Sequence, residues 1–522
     1  MIDPYYAYLM NGTNLAGGHL EIGHLDHPGT PVQCFAALVI FIKHLFSGSG
    51  IPVYQDVLLH PESYLLACNF AVLALFIVTN YLTGIYVYRH TSSRFKALLF
   101  QATPLLLQGV LVRTTKLAPE AFLIIFGTFF MAYFYVHFIQ ENLPEKKSNN
   151  PLIISGVFIG LLIACKFTAA VVIILPLFVL KGIKQKIFFT LTVFVAFLFF
   201  IIPALPKINY IFHWLSSLLT HEGKYGQGSE GFANASKFST NLYHLFTTDF
   251  AFTSIFIFIS VAFISILFGK NFKKKINRIN TRAIQGAWIY VTVLIIFVAK
   301  HYNFYYLIPS VLVFPLALII IYEQFFSADK TIFFIHKKTV VVAFLGILCF
   351  VQIKWYKENT NLNRPNLQAM ESIRSFMKTK KNIPVIVNNA YYSSFIEPAL
   401  YFGVVYSGSM QNEYFTFLKK IYPNSYLYNS DVGGIVNWEW GSKKAVILPT
   451  CFFAKYPKTL VYFIDYDSAA CYQLMNSFVI WNGITLGKYK RVYDNPLVNE
   501  KMFQIDADTA LSKKCIMQSL LL

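Results

Sequence analysis

Residues 112–126 read VRTTKLAPEAFLIIF: Arg113 and Lys116 precede a Pro-Glu pair, and an apolar run then continues to about residue 138. A run of this length matches the roughly 20 residues with which a helix crosses about 30 Å of hydrocarbon. Backbone polar groups in lipid must be hydrogen-bonded within their own segment, so the run predicts a membrane-spanning helix. Glu120, which follows Pro119, is then expected in the first helical turn.

Apolar runs of similar length recur along the first two thirds of the 522-residue chain. Because 56% of all residues are hydrophobic and only 13% are charged, the composition excludes an ordinary soluble globular protein. It predicts a polytopic membrane protein with about ten or eleven transmembrane helices. The predicted spans are 61–88, 97–112, 119–138, 151–165, 168–181, 187–205, 251–269, 283–299, 304–323 and 339–353.

The formal net charge of +19 is distributed in a way that argues against nucleic-acid binding. The basic residues cluster in alternate loops between the predicted spans, as the positive-inside rule expects of cytoplasmic loops. These clusters lie at 89–96, 146–147, 181–186, 270–282 and 330–338. The remaining loops and the C-terminal region are therefore predicted to face outward. Frequent Phe, Ile, Lys and Asn favour a bacterial source, and hence the inner membrane.

Three regions follow from this orientation: an outward first loop at 1–60, a helical membrane body at 61–353 and a more polar C-terminal region at 354–522. In the first loop, residues 32–46 are apolar enough to cross, but a crossing there would place every basic loop outside. They are therefore predicted to form a helix at the outer interface. The C-terminal region mixes short β-like runs with helical stretches, which predicts an extracytoplasmic α/β domain.

Two further expectations concern the ends of this organisation. An outward N-terminus without a signal peptide predicts a preceding transmembrane helix that lies outside this numbering. In the outward C-terminal domain a disulfide is permitted between Cys451 and Cys471, and the sequence leaves that pairing open.

Five motifs, in order along the chain, resemble those of the GT-C glycosyltransferases, and most closely the branch with protein O-mannosyltransferases and the lipid A aminoarabinose transferase. These enzymes are integral membrane proteins that take a sugar from a polyprenyl-phosphate carrier. The motifs are DPYYAYLMNGTNLAGGH (3–19), LDHPGTPVQ (25–33), VRTTKLAPEAFLIIF (112–126), GLLIACKFTAAVVIILPLFVL (160–180) and KHYNFYYLIP (300–309). Pro-Gly-Thr-Pro stands where many relatives have Pro-Pro, and Asp-Pro where many have Asp-Glu.

The resemblance implies transfer of a sugar from a polyprenyl-phosphate donor to a lipid, glycan or protein acceptor at the outer face of the membrane. Such a transfer needs a base for the acceptor hydroxyl and stabilisation of the departing phosphate. Asp3 is the candidate base or metal ligand, and Asp26 is the second carboxylate. Two carboxylates suit a divalent cation held against the phosphate, and the sequence leaves both a metal-dependent and a metal-free site open.

The other candidate residues bind the donor phosphate or the substrate. Cationic side chains pair with phosphate, and arginine does so with two parallel hydrogen bonds. The candidates are His27, Arg113, Lys116, Glu120, Lys224, Lys300, His301 and Tyr305. All of them fall on the predicted outward side.

Each candidate also has an ordinary structural interpretation. Asp3 has the position of a helix cap before Pro4, and Asp26 lies in a turn-forming Asp-His-Pro-Gly sequence. Arg113 and Lys116 are placed as interfacial side chains would be. A transporter of lipid-linked or polar solutes is the alternative function, and it would show internal repeats and interrupted helices. A third hypothesis is a non-catalytic membrane scaffold.

Overall fold

The computed structural model describes most of the chain. The described residues are 5–25, 29–107, 109–140, 149–222, 228–268, 277–326, 337–380, 382–387, 396–429, 434–438, 446–464, 480–481, 484–485, 487–496 and 500–507.

Helices make up most of the described chain. In chain order the α-helices are α1 (Tyr5–Ala16), α2 (Thr30–Ser47), α3 (Val53–Leu59), α4 (Pro61–Thr91), α5 (Arg94–Ala102), α6 (Val110–Arg113), α7 (Pro119–Phe134), α8 (Asn150–Cys165), α9 (Ile174–Val179), α10 (Ile183–Phe200), α11 (Ile208–Thr220), α12 (Ala235–Thr248), α13 (Phe250–Phe268), α14 (Arg278–Lys300), α15 (Ile308–Phe326), α16 (Lys337–Lys378), α17 (Ile396–Val405), α18 (Gln411–Ile421) and α19 (Pro449–Lys455). A π-helical turn at Tyr135–Gln140 extends α7, and 3₁₀ segments occupy Thr103–Leu106, Phe167–Ile173, Ile202–Lys207, Phe304–Leu307 and Gly408–Met410.

The strands confirm the predicted C-terminal α/β region. They are β1 (Val385–Val387), β2 (Ser425–Asn429), β3 (Gly434–Val436), β4 (Lys458–Ile464), β5 (Ile480–Trp481), β6 (Ile484–Thr485), β7 (Gly487–Asn495) and β8 (Glu500–Ala507). Six of them form a mixed sheet in the order β3-β2-β1-β4-β8-β7, with β1 parallel to both β2 and β4.

Both faces of this sheet are buried against apolar side chains. Successive side chains of a strand point to opposite faces. Ile386 accordingly packs in a cluster with Phe453, whereas Val385 and Val387 pack in a second cluster with Ile373 of α16. The core of this region therefore combines sheet and helix, as α/β domains require. Cys451 in α19 is disulfide-bonded, and its predicted partner Cys471 lies outside the described residues.

Seven helical segments among the described residues are long and apolar enough to cross a membrane, which confirms the predicted polytopic membrane fold. They are Thr30–Ser47, Pro61–Thr91, Pro119–Gln140, Ile183–Phe200, Phe250–Phe268, Arg278–Lys300 and Phe304–Glu323, with shorter apolar helical segments at Asn150–Cys165, Phe167–Val179 and Ile396–Val405. Thr30–Ser47 contains the segment predicted to lie at the interface, and that orientation stays a prediction.

The predicted span at 97–112 is wrong as a single helix. The chain ends α5 at Ala102, continues as the 3₁₀ segment Thr103–Leu106 and begins the short helix α6 at Val110. Gly109, before α6, has a φ of +76°, and a Cβ there would lie 2.4 Å from Cε2 of Phe304. Only glycine takes this conformation in so little space. The hydropathy of a segment does not depend on contacts with distant residues such as Phe304. The sequence therefore did not predict the interruption of the helix between Ala102 and Val110.

The chain falls into two compact units. Unit 1 comprises Met1–Gly23, Ile40–Leu65 and Lys357–Leu522, and unit 2 comprises His24–Val39 and Leu66–Tyr356. The first loop, treated above as one region at 1–60, is thus divided between the two units.

Helices α8 and α10 of unit 2 approach each other closely through the sequence GVFIG at 156–160. A Cβ on Gly160 would lie 2.6 Å from Cβ of Ala196. Small residues four positions apart let helix backbones come together in membrane proteins. This packing fixes α8, whose C-terminal end leads into Lys166.

Asp56 is the centre of a buried polar network in unit 1. Its carboxylate is 3% exposed and accepts hydrogen bonds from Tyr64 Oη (2.6 Å), His44 Nδ1 (2.9 Å), Ser47 Oγ (3.0 Å) and His60 Nδ1 (3.1 Å). Burial by itself would raise the pKa of Asp56. The hydrogen bonds from these four side chains outweigh burial and hold that pKa well below its ordinary value.

This network predicts a pH dependence of stability. Because the pKa of Asp56 is lower in the folded than in the unfolded state, its stabilisation is fully present above about pH 4 and is lost as the pH falls further. The thermal unfolding temperature of the wild type in detergent should therefore fall more steeply below about pH 4 than that of Asp56→Asn. Parallel pH profiles for the two proteins would contradict this role.

Candidate functional site

A buried ion pair joins two helix ends in unit 2. Lys166 Nζ donates a hydrogen bond of 2.5 Å to Glu120 Oε1, and the two side chains are 3% and 4% exposed. Glu120 lies in the first turn of α7 behind Pro119, a position where an acid complements the helix dipole. Lys166 follows α8 in extended backbone, with φ −161° and ψ 130°, before the next helical segment begins. This interruption between two helical segments places the Lys166 side chain at the start of α7.

The second carboxylate oxygen of this pair has no such partner. Oε2 of Glu120 is buried and accepts no hydrogen bond from the described part of the chain. A buried carboxylate normally has both oxygens hydrogen-bonded, since an unsatisfied one costs free energy. The pair therefore has capacity for a further donor at this point.

Aromatic rings from the motif at 300–309 line the same place. The Arg113 guanidinium lies 4.4 Å from the ring centroid of Tyr305, and Lys166 Nζ lies 4.6 Å from that of Tyr306. The two tyrosine rings meet edge to face at 4.8 Å. Cations over aromatic faces are stabilised by the ring quadrupole. The rings therefore help to hold both cations in position, beside the Glu120 carboxylate that pairs with Lys166.

Lys116 adds a third cation. Burial lowers the pKa of Lys116, and the nearby Arg113 charge lowers it further. With Arg113 and Lys166 there are three basic groups among the described residues of this site and one acid, Glu120, so these four residues by themselves carry a net charge of +2 when all are ionised. We call these four residues with Tyr305 and Tyr306 the cationic cluster. Its charge favours binding of an anion.

An apolar cavity of about 320 Å³ adjoins the cationic cluster in unit 2. Its wall consists mainly of leucine, valine, phenylalanine and tryptophan side chains, among them Phe167, Trp214 and Leu215. Tyr306 lines this cavity and also belongs to the cationic cluster, while Phe167 directly follows Lys166. The cationic cluster and the apolar cavity are therefore adjacent, and Tyr306 belongs to both.

Lys300 and His301 lie on this cavity and outside the cationic cluster. The Lys300 ammonium donates a hydrogen bond to the carbonyl of Leu218 near the end of α11 and lies 4.8 Å from the ring centroid of Phe232. His301 lines the cavity beside it. Their polar atoms are the exceptions in a mostly apolar lining, as in small-molecule sites generally.

The structure brings together only some of the residues predicted from the sequence. Arg113, Lys116, Glu120 and Tyr305 converge, although Tyr305 is far from the others in the chain. The remaining predicted residues on the cavity are Lys300 and His301. Outside the described residues lie Asp3, Asp26, His27 and Lys224, and their proposed roles stay predictions.

Two members of the cationic cluster, Lys166 and Tyr306, are absent from the candidates predicted from the sequence. Lys166 is the charged one. It was quoted only as part of the motif at 160–180, but it is the one charged residue between the apolar runs 151–165 and 168–181. An ionisable residue within an apolar stretch marks a functional position by default, and that signal was sufficient to find it.

The predicted metal site concerns Asp3 and Asp26. No group of three or more His, Cys, Asp or Glu side chains that could hold a metal ion occurs within the described ranges. Asp3 and Asp26, the proposed ligands, lie outside those ranges.

Comparison with known proteins gives similarity at the level of solved structures. No family model matches the chain, and no curated protein does. Two structures of ArnT from Cupriavidus metallidurans are similar, each at 10% sequence identity. The apo form has a TM-score of 0.47 and covers 97% of this chain and 94% of its own. The form bound to undecaprenyl phosphate has a TM-score of 0.44 and covers 93% of this chain and 94% of its own. ArnT is an aminoarabinose transferase of the GT-C family.

Proposed function

We propose that this chain is a glycosyltransferase that moves a sugar from a polyprenyl-phosphate donor to a lipid, glycan or protein acceptor at the outer face of the membrane. One observation carries the proposal: the cationic cluster and the apolar cavity share Tyr306. A ligand with an anionic head and an apolar chain fits this pair of features. A soluble anion would not need the cavity, and a neutral lipid would not need the cations.

Each residue of the cationic cluster has a separate role in this proposal. Arg113 and Lys166 neutralise the phosphate and the charge that grows on it as the glycosidic bond breaks. Arg113 also offers two parallel donors to phosphate oxygens. Glu120 holds the Lys166 ammonium in position through their hydrogen bond. Tyr305 and Tyr306 support both cations and exclude water from them.

The first-loop carboxylates complete the proposed reaction. Asp3 accepts the proton of the acceptor hydroxyl, and Asp26 is the second carboxylate, with roles taken from the motif resemblance. If a divalent cation is used, these two carboxylates would hold it, and it would supply positive charge to stabilise the departing phosphate; the proposal accommodates a site with or without it.

A transporter of lipid-linked or polar solutes is the second candidate, and one observation favours it. The helical path is interrupted at Gly109 and at Lys166, and charged residues accompany both interruptions. Interrupted helices with charges at the interruption are typical of substrate sites in transporters.

Reconstitution into vesicles with a labelled polyprenyl-phosphate sugar separates the two functions. Under the proposal the wild type releases polyprenyl phosphate, and Asp3→Asn abolishes release without changing the unfolding temperature. Glu371→Gln serves as the matched control, because Glu371 is an exposed acid of α16. Movement of intact labelled lipid across the membrane without cleavage of the sugar–phosphate bond would contradict the proposal and support the transporter.

A further inference from the structure

Two fully buried asparagines lie one turn apart on α1 in unit 1. Asn11 and Asn14 are both 0% exposed. A buried side-chain amide costs free energy unless its donors and acceptor are hydrogen-bonded. The partners of these two amides show what α1 is fixed to.

Asn11 connects the first loop to the segment that follows α17. Its Nδ2 donates to the Tyr406 carbonyl at 2.7 Å and to the Ala7 carbonyl at 2.7 Å. Its Oδ1 accepts a hydrogen bond of 2.7 Å from the backbone N–H of Gly23. One side chain therefore joins α1, the end of its own loop and a residue almost 400 positions away.

Asn14 makes the same connection one turn later. Its Oδ1 accepts a hydrogen bond of 2.6 Å from the Tyr414 hydroxyl of α18, and its Nδ2 donates to the Ser407 carbonyl and, at 3.3 Å, to the Glu21 carbonyl. Tyr414 is itself 0% exposed, and burial raises its pKa, so the hydroxyl remains protonated as a donor.

The backbone at Gly23 also packs directly against the backbone at Tyr406 and Gly408. A Cβ there would lie 2.3 Å from the backbone nitrogen of Gly408 and 2.6 Å from the Tyr406 carbonyl oxygen. Gly408 has a φ of +67°, which favours glycine at that position too. We call the contact between residues 11–23 and 406–414 the loop clamp.

We infer that the C-terminal α/β region positions α1 for the proposed transfer through the loop clamp, with Asn11, Asn14 and Tyr414 as positioning residues. This inference rests on the proposed function. Asp3 precedes the first residue of α1 by two positions, so its proposed role depends on the helix that the loop clamp holds.

The inference predicts a specific kinetic defect. A displacement of about 1 Å at a reacting group can cost roughly 10²-fold in rate. Tyr414→Phe removes one hydroxyl from the loop clamp, and Asn14→Ala removes three hydrogen bonds. We expect Asn14→Ala to lower kcat by about 10²-fold with an unchanged KM for the lipid donor, and Tyr414→Phe to lower it less, in the same direction.

The experiment compares these variants with a destabilised control in the full-length protein. Phe503→Leu, in the sheet core of unit 1, lowers the unfolding temperature without touching the loop clamp. Hydrogen–deuterium exchange of residues 5–23 reports the clamp independently of any activity. The inference expects faster exchange there in Asn14→Ala and Tyr414→Phe than in Phe503→Leu, together with the selective loss of kcat.

Two results would overturn the inference and leave the proposed function standing. In the first, Phe503→Leu and Asn14→Ala have matched unfolding temperatures and lose kcat equally. The loop clamp would then only stabilise the fold. The other is faster exchange of residues 5–23 with unchanged kcat. Failure of the proposed function is distinguishable, because wild-type protein would then release no polyprenyl phosphate; the catalytic role of the clamp would fall with it.

Discussion

Lys166→Ala is expected to destabilise unit 2 by about 3–5 kcal/mol, the size usual when one partner of a buried ion pair is removed. The substitution leaves the Glu120 carboxylate buried, with its other oxygen already lacking a hydrogen bond from the described residues. Thermal unfolding of the purified protein in detergent measures the effect. An unfolding temperature equal to that of the wild type would contradict the geometry of the pair.

A double variant separates stability from function at the same site. Replacing both partners with apolar residues of similar volume, as in Glu120→Leu with Lys166→Met, removes the uncompensated charge and should restore much of the lost stability. Binding of a polyprenyl phosphate should nevertheless stay weak, because the phosphate has lost the Lys166 charge. Recovery of both stability and binding would show that the pair is purely structural.

Arg113→Ala is expected to lower turnover by about 10²-fold, the loss typical of removing a group that stabilises charge in the transition state. Arg113→Lys should retain part of the rate, since a lysine keeps the charge but loses the two parallel donors. The measurement is the rate of polyprenyl-phosphate release by reconstituted protein, with kcat and KM determined separately.

A matched arginine provides the control for this second prediction. Arg278 is exposed at the start of α14, so Arg278→Ala removes an equal charge from unit 2 at a distance in sequence from every candidate residue. We expect its rate to stay near that of the wild type. If Arg113→Ala and Arg278→Ala gave equal rates, Arg113 would have no special role.

The long apolar runs determined which parts of the fold were predictable. The predicted spans 119–138 and 251–269 agree closely with Pro119–Gln140 and Phe250–Phe268. A run of about 20 apolar residues leaves helix as the only backbone that satisfies its own polar groups in lipid. The β-like runs predicted in the C-terminal region agree with strands such as β4 (Lys458–Ile464).

Interruptions of the helices were not predictable from hydropathy. The runs at 97–112 and 168–181 look like the others, yet the first is interrupted before Gly109 and the second begins as the 3₁₀ segment Phe167–Ile173. The break at Gly109 depends on the ring of Phe304, which is nearly 200 residues away. Composition records the apolar character of a segment and carries no information on such distant contacts.

The candidate site was likewise predictable only in part. The prediction that residues at the ends of spans on one face lie near each other agrees with the proximity of Arg113, Lys116, Glu120 and Tyr305, and their roles stay predictions. It could not show that Lys300 bonds a carbonyl of α11 and lies on the cavity instead of in the cationic cluster. That arrangement depends on side-chain directions, which follow from packing.

The most direct test of the central claim is photo-crosslinking with a polyprenyl phosphate, compared with the uncharged polyprenol of the same chain length. If the cationic cluster binds the phosphate and the cavity receives the chain, the phosphate probe should label peptides containing residues 113–120 and 166–171, and Arg113→Ala should reduce that labelling to the level of polyprenol. Equal labelling by the two probes in the wild type, or labelling confined to other peptides, would contradict the claim.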